Sequence, residues 1–246
     1  MPTVQRGTLQ NLQLEHDTKR DINEMIWDAV TTKAEDPKEL NIHLSVPCNA
    51  CIGRWSITVY DNNIKKAFTK MYVIANPFDP AGGCFYDGSY DGVSPNDFLG
   101  EYLKSEEGCV WKGSDNSPIC KRWTFDQFRA PFLDCACNLL ARANMEGSGT
   151  NLHDLTDVVR ILSAQLNAKG DNGVMECKWS SAKGSYDAGK SPSYWDSSYD
   201  IMKQYHDTGK PTKFGQCWVM SGLMTAFVRC LGIPARSITT YRLGPI

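Results

Sequence analysis

Ten cysteines are spread through this 246-residue chain, and one of them stands where a thiol becomes a nucleophile. From Cys217 to Leu231 the sequence is apolar on nearly every face, and Gly232 followed by Pro234 supplies a left-handed cap and a stop. Cys217 is thus expected in the first turn of a buried helix, where unpaired backbone N–H groups and the helix dipole favour a thiolate. Gly215 lets the chain turn sharply ahead of it, and Trp218 shields the sulfur from bulk water. That arrangement suits acyl transfer through a thioester. The other candidates read as structure. Cys48-Asn49-Ala50-Cys51 has metal or redox spacing but no second pair at zinc-site spacing, so it reads as a turn between strands. Asp87, Asp91, Asp97 and Glu101 read as solvated loop charge.

Several elements must hold that cysteine in place. Ile42, Leu44 and Val46 alternate with polar residues, as do Trp55, Ile57 and Val59, and a third strand is expected over Phe68 to Ile74. A Pro- and Gly-rich change of composition then places a domain boundary near Ala75. Beyond it, Phe125, Phe128, Phe132, Leu133, Leu139 and Leu140 recur at helical spacing, and so do Leu152, Leu155, Val158, Val159, Leu162 and Leu166. Thr150 or Asn151 is the expected cap of the second helix, which should end before Gly170. Trp195 to His206 is also helix-like. The first thirty or so residues carry no assignable pattern.

The segments Gly215-Gln216-Cys217-Trp218-Val219 and Arg229-Cys230-Leu231-Gly232-Ile233-Pro234-Ala235-Arg236 closely resemble the active-site region of animal transglutaminases. Leu166 to Val174 looks like the family's loop before its conserved tryptophan, Asp126-Gln127-Phe128 through Leu140 like an early core helix, and Val46-Pro47 to Val59 like the end of its N-terminal sandwich. The resemblance runs from about Lys19 to Tyr241 and is strongest after Leu152.

It implies an α+β fold: a partial immunoglobulin-like β-sandwich over residues 1–75, then the first half of a papain-like transglutaminase core over 76–246. It implies that Cys217 attacks a glutamine carboxamide, releases ammonia and passes the acyl group to a lysine or another primary amine. The partners are therefore a glutamine-bearing protein and a lysine-bearing protein or amine. Trp179 stands near the family's position for an oxyanion-binding tryptophan, although Glu176-Cys177-Lys178 departs from the usual sequence before it. The resemblance further implies calcium at Ala168, Asp171 and Asn172, with Gly170 at a commonly acidic position. The family's histidine and aspartate lie further downstream than Ile246, and the tail from Tyr241 departs from the family, so the chain is expected to be incomplete and weakly active or inactive alone. A papain-like cysteine hydrolase and a non-catalytic structural or binding fragment are the competing readings.

Bulk properties narrow the rest. With 41% hydrophobic and 22% charged residues the chain reads as globular. A net charge of -2 with scattered Lys and Arg argues against a nucleic-acid partner. No apolar run of roughly 20 residues suggests an integral membrane segment, and no apolar stretch near Met1 suggests a signal peptide. Most cysteines are expected to be buried thiols in a reducing setting. The expected location is cytoplasmic, or extracellular by a route that needs no signal peptide.

Overall fold

The structure is a computed structural model that describes residues 3–4, 6–14, 26–36, 38–61, 64–89, 92–145, 151–180, 182 and 184–241. Strands β1 (Asp28–Lys33) and β2 (Leu40–Ser45) pair antiparallel, with Asp28 opposite Ser45. Strands β3 (Gly53–Asp61) and β4 (Ile64–Val73) do the same, with Gly53 opposite Val73 and Trp55 opposite Met71. The alternating residues of the sequence thus become strands, and β1 is an addition to them. Cys48 and Cys51 lie in the expected turn, and they face apart: the Cys48 thiol reaches Ala81 O at 3.4 Å, and the Cys51 thiol meets His153 Nε2 at 3.1 Å.

Beyond a short helix α1 (Pro95–Leu99), a hairpin of β5 (Glu107–Ser114) and β6 (Ser117–Thr124) leads into helices α2 (Phe132–Met145) and α3 (Leu155–Leu166). Two boundaries differ from expectation. Phe125 and Phe128 precede α2, because Pro131 has no N–H to continue a helix backwards and its carbonyl instead accepts the Cys135 N–H at 3.0 Å. The cap of α3 is Asp154, whose carboxylate accepts the Thr156 N–H at 2.8 Å; Asn151 lies in the turn before it and Thr150 outside the described residues. His153 belongs to that same turn, and its ring is satisfied by Cys51 and by Asn49 O.

A one-turn helix α4 (Ala168–Asp171), strand β7 (Met175–Cys177), helix α5 (Ser198–Thr208), strand β8 (Thr212–Gly215) and helix α6 (Cys217–Cys230) complete the chain. Strand β7 pairs parallel with β8. Helix α6 is the centre of the core: Leu223, Ala226 and Phe227 are fully buried among Phe132, Leu140 and Leu162 of α2 and α3, and Phe132 meets Phe227 edge to face at 4.8 Å. Its end is capped as its sequence implies. Gly232 takes φ +82°, and Ile233 N–H returns to Val228 O at 3.1 Å. The Ala75 N–H donates to Leu231 O at 2.8 Å, which ties the chain beyond β4 to this helix end.

The hairpin, α5 and α6 are joined at one buried point. Trp123 Nε1 donates to Ser198 Oγ at 2.7 Å, and Ser198 Oγ donates to Gly222 O at 3.0 Å. A Cβ on Gly222 would stand 2.5 Å from Trp123 Cε2, and the ring, 1% exposed, has nowhere to go. Gly222→Ala is therefore expected to destabilise by about 1–3 kcal/mol through overpacking, seen as a lower urea midpoint with an unchanged slope.

No helix among the described residues is long and apolar enough to cross a membrane.

Candidate active site

Cys217 is the first residue of α6, and its side chain is exposed although the helix behind it is buried. The helix cap, Gln216, has extended backbone and makes no capping bond with its side chain. The first-turn N–H groups thus remain directed at the end where the sulfur sits, the arrangement that favours a thiolate.

The Gln216 side chain is used elsewhere. Its Nε2 donates to Lys178 O at 3.1 Å and to the Tyr186 hydroxyl at 3.4 Å, and that hydroxyl in turn donates to Ser180 O at 3.0 Å. Lys178 N–H donates to Gly215 O at 3.0 Å, and Cys177 is registered opposite Gly215. The backbone carrying Trp179 is therefore fastened on both sides to the residues just before Cys217. Trp179 itself is 66% exposed. Its ring is thus no part of the packed core. Sequence reasoning missed Tyr186 and the part played by Gln216, since a phenol in a polar loop carries no periodic signal.

Gly215 serves close approach rather than a sharp turn: its Cβ would stand 2.2 Å from Met175 Sδ on the paired strand. Burial, and secondarily Cys217, raise the Cys177 thiol. Trp218 is half-buried, with Lys112 Nζ 5.3 Å from its ring centre. Its buried Nε1 has no hydrogen-bond partner among the described residues.

All ten cysteines are free, and four of them (Cys51, Cys135, Cys137 and Cys230) are buried, fewer than expected. Burial pushes Cys51 to about 11 and Cys135 and Cys137 to about 12, so these are inert thiols. The described histidines are engaged away from Cys217: His43 with Thr32, His153 with Cys51, and the exposed His206 with Asp207 at the end of α5. His16 lies outside the described residues.

The candidate calcium loop forms a closed turn. Asn167 Oδ1 accepts the Lys169 N–H at 3.1 Å, the Asn167 carbonyl accepts the Gly173 N–H at 3.1 Å, and Asn172 takes the left-handed conformation at φ 49°. Ala168 and Asn172 bring hard oxygens of the kind calcium takes; the side chain of Asp171 lies outside the described residues. Among the described residues no three His, Cys, Asp or Glu side chains gather to hold a metal. What the described residues of the turn offer is neutral oxygen donors.

Residues 163–246, which span Trp179, Cys217 and the fastening between them, match the transglutaminase-like superfamily. Beyond that segment the chain is similar to transglutaminases along most of its length. It is 31% identical to human protein-glutamine gamma-glutamyltransferase 4 over 98% of its own length and 33% of the relative's. It is 29% identical to the hemocyte protein-glutamine gamma-glutamyltransferase of Tachypleus tridentatus, again over 98% of this chain and 31% of the relative. The crystal structure of red sea bream transglutaminase superposes with a TM-score of 0.73 at 26% identity, covering 88% of this chain and 33% of that one. The chain thus spans about a third of the length of these transglutaminases, and its mixed helices and strands match their core.

Proposed function

We propose that this chain carries the nucleophile-bearing part of a protein-glutamine γ-glutamyltransferase. The observation that supports it most is the exposed Cys217 at the uncapped start of buried α6, with the backbone of Lys178, next to Trp179, hydrogen-bonded alongside. The Cys217 thiolate attacks the side-chain carbonyl carbon of a protein glutamine, and the C–N bond breaks to release ammonia. The thioester left on the sulfur is then attacked by a lysine amine or another primary amine. An isopeptide forms and the thiol is restored.

Charge develops on the carbonyl oxygen in both steps. Donors aimed there are worth several kcal/mol in a water-poor site, and the Cys217 N–H and the Trp179 indole N–H are the two assigned. By the resemblance, the base that activates the thiol is assigned to a histidine–aspartate pair that the family carries downstream of the position of Ile246. Calcium is assigned to the 168–172 turn through Ala168, Asp171 and Asn172. When bound it supplies positive charge that orders this turn, which leads directly into β7 and hence toward Trp179. An immunoglobulin-like first unit (1–75), a papain-like second unit (76–246), and a cytoplasmic or non-classically exported setting complete the proposal.

The test is incorporation of a labelled primary amine into a glutamine-bearing protein by the longest product that carries this segment, with and without calcium. Peptide cleavage in place of labelling would convert the reading to a cysteine hydrolase. Trp179→Phe keeps the ring and deletes the donor, so turnover is expected to fall by about 10²- to 10³-fold while KM changes little. Equal turnover by the Phe variant removes Trp179 from the reaction.

A further inference from the structure

The hairpin of β5 and β6 carries two thiols that the acyl-transfer chemistry does not use. Cys109 pairs with Arg122 and Trp111 with Cys120, so all four side chains stand on one face and the two cysteines are diagonal neighbours. Cys109 is half-buried and Cys120 exposed. The Cys120 thiol is raised, chiefly by Cys109.

We propose that Cys109 and Cys120 are a redox site that closes to a cross-strand disulfide, and that closing it changes how the hairpin packs against Trp218 beside Cys217. The co-reactant is a low-molecular-weight disulfide of the glutathione type. Cys109 thiolate attacks one of its sulfurs, forming a mixed disulfide and releasing one thiol. Cys120, once deprotonated, attacks the Cys109 sulfur; the protein disulfide forms and the second thiol leaves. Two protein thiols are oxidised and one small disulfide is reduced to two thiols.

Geometry says why the bond would be felt at α6. Diagonal neighbours stand about 7–8 Å apart, against about 4.4–6.8 Å between the Cα atoms of a disulfide, so closure draws the two strands together. Trp111 lies on β5 directly opposite Cys120, and its carbonyl accepts the Thr239 hydroxyl at 3.0 Å. Next to it, Lys112 caps the Trp218 ring and donates to Ser193 Oγ at 3.2 Å. Any shear between β5 and β6 therefore moves Lys112 over Trp218. The bond itself does not depend on what Cys217 does.

The experiment equilibrates the chain with defined ratios of reduced to oxidised glutathione, blocks remaining thiols and maps peptides without reduction. Cleavage after Lys112 separates the two cysteines, so their peptides stay joined only through the new bond. The expected result is a joined 109–120 pair in wild type and, in Cys120→Ser, a glutathione adduct that persists on Cys109. The alkylation rate of Cys217 is expected to change severalfold on closure in wild type and to stay constant in Cys120→Ser. Independent adducts on Cys109 and Cys120, or a Cys177–Cys217 bond in place of theirs, overturn the proposal. A bond that forms while Cys217 alkylates at an unchanged rate overturns its second half.

Discussion

Cys217→Ala is expected to abolish amine incorporation in a product that carries this segment, by a factor of at least about 10⁴, because covalent catalysis has no other route once the nucleophile is gone. Stability should change little, since Cys217 is exposed and its side chain fills no part of the core. That pairing of a large loss of turnover with an unchanged urea midpoint distinguishes a nucleophile from a structural thiol. Among the other cysteines, Cys230 provides the contrast: it is buried in α6, its thiol is raised well above the usual range by burial, and its replacement should lower stability first. Labelling by the Cys217→Ala protein equal to that of wild type would remove the transferase assignment altogether.

Arg229→Met is expected to give the largest loss of stability, about 3–5 kcal/mol. Arg229 is 3% exposed, and its guanidinium donates to three backbone carbonyls: Ala235 O at 2.7 Å, Ser105 O at 2.8 Å and Glu101 O at 3.0 Å. It also stacks 4.6 Å from the Phe125 ring centre. Burial lowers its pKa to about 10, still far above neutrality, so the group remains charged and its bonds remain charge-assisted. Methionine fills the space but takes away the charge-assisted donors to Ala235 O and Glu101 O, while Ser105 O keeps only the Gln127 amide at 3.0 Å. Lysine should rescue poorly, because a point charge cannot reproduce a planar fork. Chemical denaturation monitored by tryptophan fluorescence measures both; a midpoint within error of wild type for Arg229→Met would contradict the account.

The sequence reveals best what is local. Helix α6 is written into residues 217–231 by unbroken apolarity and by Gly232, and the structure starts and stops it there. Alternation shows β2 and β3 for the same reason. Pairings between distant segments leave no such trace. Strand β7 has three residues, too few for a period, and becomes a strand only because β8 lies beside it. Strand β6 begins with Ser117 and Pro118, which argue against a strand until the hairpin supplies a partner. At the site, Cys217 is legible through its helix and its surrounding motif. Trp179 is legible only through resemblance, and Tyr186 not at all, since its hydroxyl matters for three-dimensional reasons alone. Arg229 belongs to both groups: the resemblance quotes it, but no pattern announces that its guanidinium reaches carbonyls more than a hundred positions earlier in the chain.

The fastening of Lys178 to Gly215 and Gln216 has one more effect. Positional error in a folded chain accumulates along the path of contacts that joins two points. Here that path is only a few links long, so the backbone leading into Trp179 and the residue that bears the sulfur share a local frame of reference. A substitution that loosens the frame itself, such as Tyr186→Phe, should therefore disturb the site more than many changes that remove far greater buried area elsewhere.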